Sequence, residues 1–429
     1  MIFLLIGRGI EGCGVTKFSL ELDKYLEKRG IPHQSYAFND KKWTRRKSHD
    51  INDIMQVALE DDEQFNNFIN VMRDNATTVV INSLPSESHS ELFQSRFKEL
   101  LSFKDKKYIL FQHDHARMSI QRNACLDEAI QASTICYAHS RNNYFAKYVE
   151  EKFNSSNLES FFSDVEQKHI EVLPFQPAFD FDECRKEYWK DISEQDPRHH
   201  KWIGRTTFWK GFELMFDWHD RLRECQAVTT FEGIETGIVY PEFIIRKPHH
   251  NFCKGFTEAT RKIFEKKGLS NEYIDAYGWH GPKDIADYDV TQHYGDKALV
   301  FGIYKNHELL HRLSRCGFGY QLTMLDPKNI ERSIEYTHCE VVAAGAIPVF
   351  RKKFGQACTH RSIGKPLYEC ENTGTIWLDE DNFDECIEQV KTLTHDDGMR
   401  NEWREMAYEF YKDHQDTDNV FKNIVENFV

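Results

Sequence analysis

Short β-rich runs alternate with helical patterns twice along this chain, and that double alternation restricts the fold more than any other feature. In the first half IFLLI (2–6) leads into a helical pattern through KFSLELDKYLEKRG (17–30), followed by HQSYAF, TTVVINS, KYILFQHD, ASTICYAHS and HIEVLPF. Strands fed by intervening helices predict a parallel, doubly wound sheet. LPFQPAFDF (173–181) carries two prolines and interrupts the pattern, which places a hinge there. The alternation then restarts with HHKWIGR, QAVTTFEG, EYIDAYG, ALVFGIY and CGFGYQL, a helix through NIERSIEYTHCEVVAAG, and the strand IPVF. The last 25 residues read as helix, turn, helix. The expected architecture is α/β, with two Rossmann-like doubly wound domains facing across a cleft. The N-terminal domain spans 1–178 and is completed by the C-terminal helix 408–429. The second domain spans 179–407.

Size and composition agree with two cores. At 429 residues the chain exceeds the length at which single cores stop growing, and 32 Phe and 18 Tyr contribute to an apolar fraction of 40%. No apolar run approaches the roughly 18 residues of a membrane span, and the N-terminus lacks the basic region of a secretion signal. Eleven cysteines without a C-x-x-C pair suit neither a disulfide framework nor a zinc site, so a reducing cytoplasm is expected. A net charge of −14 argues against a protein that coats nucleic acid through overall charge. It leaves room for a local basic groove. KKWTRRK (41–47) and IRKPHHNFCK (245–254) are the basic stretches, and each also reads as a solvated loop.

The turn after the first run contains G-x-G-x-x-G at Gly7, Gly9 and Gly12, and Gly9 and Gly14 stand at P-loop spacing. A P-loop needs Lys-Ser/Thr directly after its second glycine, whereas Val15 and Thr16 follow here. A dinucleotide site wants an acid about twenty positions on, and Asp40 is too far. What remains is an anion site of backbone N–H groups around Gly12 and Gly14, or a tight turn without a ligand. KWIGRTTFWKGF (201–212) is more specific, because Gly204-Arg205 and Lys210-Gly211 send a guanidinium and an ammonium from one turn. Such a pair neutralises a departing diphosphate without a metal ion. Glu340 opens EVVAAGAIPVF, where an acid can accept hydrogen bonds from ribose hydroxyls.

In this order, these features resemble the retaining GT-B sugar-nucleotide transferases, with their G-R…K-G diphosphate clamp and E-x-x-x-x-G…P-V ribose motif. The chain departs from that pattern at one position: eight residues before Glu340, where those enzymes often have a glutamate, stands Arg332, with Glu331 and Glu335 nearby. The stretches RGIEGCGVTKFSLE, QHDH (112–115), WIGRTTFWKGF, MFDWH, SRCGFGYQL, IEYTHCE and YEFYKDHQD are similar to the DNA α-glucosyltransferases of T-even-type bacteriophages. The similarity covers nearly the whole chain and is weakest over 226–300, with extra residues around 237–262.

That resemblance implies transfer of glucose from UDP-glucose to 5-hydroxymethylcytosine in duplex DNA with α linkage, by base flipping, in the cytoplasm of an infected bacterium. It implies that His113 and Asp114, after the strand KYILFQ, serve the reacting sugar and acceptor, with Glu21 close by and Arg205 and Lys210 drawing off the diphosphate. Gly12, Gly14, Gly204, Gly319, Tyr320, Glu335 and Glu340 would join Arg205 and Lys210 around the UDP-sugar. Lys42, Trp43, Arg45, Arg46 and Lys47 would contact DNA phosphates, with Trp43 stacking or wedging. No metal is expected in the clamp, no membrane is involved, and a monomer is the expected state. Three alternatives stay open: another donor such as UDP-arabinose on the same acceptor, a GT-B enzyme acting on a small molecule or glycan, and a DNA- or nucleotide-binding protein without activity.

Overall fold

The computed structural model describes residues 1–7, 14–39, 54–87, 89–113, 120–155, 169–204, 211, 214, 217–218, 221–222, 242–245, 265–266, 289–294, 297–302, 306–323 and 333–428. The chain divides into two compact units. One takes Met1–Phe179, Ser333 and the C-terminal stretch from Thr417; the other takes the remainder between Asp180 and Asp416.

In the first unit the strands are β1 (Ile2–Gly7), β2 (His33–Asn39), β3 (Met55–Ala58), β4 (Thr78–Ile81), β5 (Lys107–Gln112), β6 (Ser133–Ala138) and β7 (Glu171–Pro174). They form one parallel sheet in the order β3-β2-β1-β4-β5-β6-β7. The helices are α1 (Gly14–Lys28), α2 (Asp62–Asn75), α3 (Glu91–Leu100), α4 (Leu126–Ala132) and α5 (Tyr144–Val149). Helix starts follow from capping: the Asp61 carboxylate accepts from the N–H groups of Glu63 and Gln64, Ser90 Oγ from Phe93 N, and Asn143 Oδ1 from Ala146 N.

Alternation along the strands separates the two faces of this sheet. Phe3, Leu5, Val79, Ile81, Tyr108 and Leu110 join Phe65, Phe68, Phe93 and Phe97 of α2 and α3 in one apolar cluster. The intervening positions serve the opposite face, where Phe111 meets Phe18 of α1 at a centroid distance of 5.1 Å. The short β3 extends this sheet at its edge beside β2 and was not among the expected strands.

The second unit holds β8 (Asp196–Gly204), β9 (Glu242–Ile245), β10 (Asp289–Tyr294), β11 (Lys297–Gly302), β12 (Cys316–Gln321), β13 (Ile347–Arg351) and β14 (Ile376–Leu378), ordered β10-β11-β9-β8-β12-β13-β14. All neighbours run parallel except β10 and β11, an antiparallel pair at one edge. Glu242–Ile245, within the segment read as additional residues, supplies β9 between β8 and β11. The expected strands QAVTTFEG and EYIDAYG lie outside the described residues. The helices are α6 (Phe181–Tyr188), α7 (Asn306–Leu313), α8 (Tyr336–Ala343), α9 (Lys352–Ala357), α10 (Phe383–His395) and α11 (Asp397–Gln415).

The stretch from 408 divides at Asp416. Up to there it continues α11 within the second unit, because Tyr408 and Lys412 both donate to Asp182 of α6, at 2.5 and 2.6 Å. Arg185 of α6 also grips Glu405 through two 2.7 Å bonds. A last helix, α12 (Thr417–Glu426), belongs to the first unit. There Phe421, fully buried, packs on Phe18 and Tyr25 of α1 at 5.3 and 5.4 Å. Burying that ring contributes about 2–3 kcal/mol. Thr78 Oγ1 donates to Phe428 O at 2.7 Å, closing the terminus onto β4. Among the described residues no helix is long and apolar enough to cross a membrane.

Candidate active site

Each sheet has a point at which its strand order reverses direction. In the first it falls between β1 and β4, in the second between β8 and β12. Open α/β sheets bind ligands outside the carboxyl ends of the strands at such a point. The glycine-containing turns recognised in the sequence follow β1 and β8, the strands that flank these two points.

In the first unit α1 begins at Gly14, which is exposed, while Gly12 lies outside the described residues. Helical spacing buries Phe18, Leu22, Tyr25 and Leu26 on the sheet. Phe18 meets His113 edge-on at 5.1 Å. Glu21, three residues further along the same helix, is half-buried and neighbours Phe18 on its surface.

His113 directly follows β5 and sits in an aromatic box. Besides Phe18, its ring lies 5.0 Å from Phe175, 6.1 Å from His139 and 6.2 Å from Phe111. Its Nε2 is buried and pairs with no protein group. Burial first, and then the neighbouring His139, hold its pKa well below the ordinary histidine value. The imidazole is therefore neutral at pH 7 and able to exchange a hydrogen bond with a hydroxyl. Asp114 lies outside the described residues.

Two residues here carry no sequence signal that pattern reading could use. His139 is aligned by Ser333 Oγ at 2.6 Å from its Nδ1, and its Nε2 lies 3.2 Å from the His113 carbonyl oxygen. Asn82, immediately after β4, is 1% exposed, with neither side-chain amide atom paired to protein. Its backbone N–H donates to Leu5 O of β1, which sets it at the reversal point.

In the second unit Gly204 ends β8, and Arg205 and Lys210 lie outside the described residues. Gly211, the residue after Lys210, is described. Its φ of +70° is left-handed, and a Cβ there would stand 2.0 Å from Leu322 O. Only glycine lets the chain after Lys210 pack against the end of β12. Register places β12 beside β8, with Tyr320 opposite Trp202.

Two donor-side expectations change in character. The Tyr320 side chain is fully buried, its hydroxyl bonded to His200 Nδ1. Alternation along β12 puts Tyr320 and Phe318 on one face and Gly319 and Gln321 on the other. Gly319 also works through packing, since a Cβ there would meet Val341 Cγ1 at 2.6 Å and push α8 off the sheet. Glu335 caps the N-terminus of α8 and is half-buried, with its N–H donating to His338 Nδ1 at 3.2 Å. Glu340 is fully buried on the same helix, next to Val341. The DNA-contact expectations Lys42, Trp43, Arg45, Arg46 and Lys47 lie outside the described residues. No cluster of three or more His, Cys, Asp or Glu side chains able to hold a metal occurs among the described residues.

Two Rossmann-like units, each a doubly wound sheet with one reversal point, give the chain the GT-B fold of the glycosyltransferases that it superposes on. The family model of DNA alpha-glucosyltransferase matches residues 13–398. The DNA alpha-glucosyltransferase of Enterobacteria phage T4 is 35% identical over 425 residues, 98% of each chain. A solved alpha-glucosyltransferase in complex with UDP superposes with a TM-score of 0.78 at 30% identity, covering 100% of this chain and 99% of that one. Another, in complex with UDP-glucose and DNA containing an abasic site, gives 0.75 at 29% identity, covering 100% and 98%. The chain belongs to the DNA alpha-glucosyltransferase family.

Proposed function

We propose that this protein transfers glucose from UDP-glucose to the hydroxymethyl group of 5-hydroxymethylcytosine in duplex DNA, retaining the α configuration, in the cytoplasm of a phage-infected bacterium. The observation that carries this reading is full-length relationship: 35% identity over 98% of the chain to a transferase named for this reaction. The relative solved with UDP-glucose and abasic DNA supports both substrate classes.

The residues divide the chemistry between departure and attack. Arg205 and Lys210 supply fixed positive charge where the diphosphate leaves, the event that develops most charge. Gly204 and Gly211 bound their turn at the carboxyl edge of the second sheet. Glu340 accepts hydrogen bonds from ribose, and Glu335, in place of an acid at position 332, accepts them from the sugar. Gly12 and Gly14 bring backbone N–H groups toward the anion.

On the acceptor side, neutral His113 exchanges a hydrogen bond with the incoming hydroxyl, Asp114 orients that hydroxyl or stabilises the oxocarbenium-like carbon, and Glu21 supports them. The hydroxymethyl group sits on the major-groove edge of cytosine, so the nucleotide is extruded for reaction. Lys42, Arg45, Arg46 and Lys47 hold flanking phosphates, with Trp43 against the bases. The clamp needs no metal, and the protein acts as a monomer.

The test is UDP release from UDP-glucose and UDP-arabinose in parallel, with hydroxymethylated duplex, unmodified duplex and no DNA. Rapid release only with UDP-glucose and the hydroxymethylated duplex is expected. Preference for UDP-arabinose, or indifference to the DNA, overturns the assignment.

A further inference from the structure

We infer that Gln321 is a positioning residue for the donor sugar: its buried side-chain amide fixes the carboxylate of Glu335 at the edge where the hexose binds. This rests on the proposed function in one respect, that a nucleotide sugar occupies the carboxyl edge of the second sheet.

Gln321 ends β12 on the same face as Gly319, the face that carries α8. It is fully buried. Its amide nitrogen donates to Glu335 Oε2 at 3.2 Å and to Thr337 Oγ1 at 2.5 Å. Its carbonyl oxygen accepts from Thr323 N at 3.0 Å and Thr323 Oγ1 at 2.7 Å. Both donors and both acceptor positions of the amide are engaged, so the group has one orientation and no freedom to flip. The Thr323 hydroxyl, with one proton to give, is shared between Gln321 Oε1 and Glu335 Oε2, 3.3 Å away.

The chemistry of the held group identifies what it addresses. A carboxylate repels a diphosphate but accepts hydrogen bonds from hydroxyls, and a hexose is the part of a nucleotide sugar richest in them. Glu335 is half-buried and keeps a solvent-facing side, unlike Gln321, Thr323 and Thr337, which are buried. The strand that Gln321 ends, β12, pairs with β8, which ends at Gly204, and Gly211 packs on Leu322, the residue after Gln321. The carboxylate, the helix N-terminus and Gly204 and Gly211, which bracket the Arg205–Lys210 segment in sequence, thus lie at one edge. A carboxylate on a freely rotating side chain would lose much of its orienting effect; the glutamine lock removes that freedom before the donor arrives.

The experiment measures UDP and UDP-glucose binding by calorimetry, with steady-state kinetics, for wild type, Gln321→Leu, Thr323→Val, Glu335→Gln and the double variant Gln321→Leu/Glu335→Gln. Gln321→Leu is expected to weaken UDP-glucose binding and raise its KM at least tenfold, while UDP affinity stays within twofold. Thr323→Val, which keeps volume, should shift the same quantities by about threefold. In the Glu335→Gln background, removing Gln321 should add less than twofold, because the two act as one unit. Parallel loss of UDP and UDP-glucose affinity, full additivity in the double variant, or unchanged UDP-glucose binding overturns the inference. If Gln321→Leu does not fold, Thr323→Val and the single variant Glu335→Gln decide it: both should weaken UDP-glucose binding while UDP affinity stays within twofold, and an equal loss of both affinities overturns the inference. A wild-type protein that binds UDP but fails to bind UDP-glucose overturns the functional reading itself, an outcome separate from any of these.

Discussion

His139 donates from Nε2 to the backbone carbonyl of His113 across 3.2 Å, and its Nδ1 takes the Ser333 hydroxyl at 2.6 Å. A carbonyl only accepts, so Nε2 carries a hydrogen in this contact, while the Ser333 hydroxyl, which can donate or accept, completes the pair at Nδ1. The two contacts together fix the plane and orientation of the ring. The bond to the carbonyl fixes the backbone of His113, the residue before Asp114 in sequence.

His139→Phe keeps the stack on Phe175, now 4.3 Å between centroids, but deletes both bonds. Turnover should fall about 10- to 100-fold, as for small displacements of a reacting group. UDP affinity should stay unchanged, as calorimetry will show. Equal losses in both would contradict a role confined to the acceptor side.

The sequence displayed the strands and the order of the glycine turns because apolar runs and glycines are local signals. It did not display β3 (MQVA) or β10 (DVTQHY), since these short runs carry little more apolar character than the loops beside them, whereas β11 overlaps the expected strand ALVFGIY. The burial of the Tyr320 side chain was not legible for a related reason. CGFGYQ is buried on both faces, so hydropathy alone does not show that Tyr320 points to the core while Gln321, one residue on, points to α8. Asn82, His139 and Gln321 were overlooked because a single polar residue ending an apolar strand looks like turn punctuation. Their roles come from partners distant in sequence, such as Ser333 for His139 and Glu335 for Gln321.

Gly211→Ala tests whether the clamp turn is held against β12. The added methyl would lie 2.0 Å from Leu322 O on a backbone at φ +70°. Left-handed strain alone costs about 1–2 kcal/mol, and the clash forces the turn to move. UDP affinity should drop at least tenfold while DNA affinity persists in a gel-shift titration. Unchanged UDP binding would show that the turn does not shape the nucleotide site.

Buried histidines make stability depend on pH. His113 and His414 both have folded-state pKa values well below 6.5, chiefly through burial. Below pH 6.5 the unfolded chain therefore binds more protons than the folded one. Stability is complete above that pH and declines as the pH falls through it, by up to about 1.4 kcal/mol per pH unit for each ring. His414 stacks on His360 at 4.7 Å and accepts from Arg361 N at 3.0 Å. Melting temperature should fall between pH 7.5 and 5.5, and less steeply in His414→Phe. Equal slopes would mean that His414 titrates normally in the folded protein.

The basic stretch 41–47 is assigned to DNA phosphates. Replacing Lys42, Arg45 and Arg46 together with Ala should reduce the slope of log affinity against log salt by about three, one per lost phosphate contact. A fluorescence-anisotropy series between low and moderate salt reads this directly. An unchanged slope would remove the assignment.

Arg205→Ala should cost far more in turnover than in DNA affinity, because its charge acts where the diphosphate departs. Comparable losses in both would argue that Arg205 serves DNA binding instead.

The central claim is settled by digesting hydroxymethylated duplex DNA to nucleosides after incubation with UDP-glucose, then determining mass and anomeric configuration by mass spectrometry and proton NMR. The account predicts a single new nucleoside, hydroxymethyldeoxycytidine carrying one hexose in α linkage. A β-linked hexose, a pentose adduct formed in preference from UDP-arabinose, or unaltered hydroxymethyldeoxycytidine would contradict it.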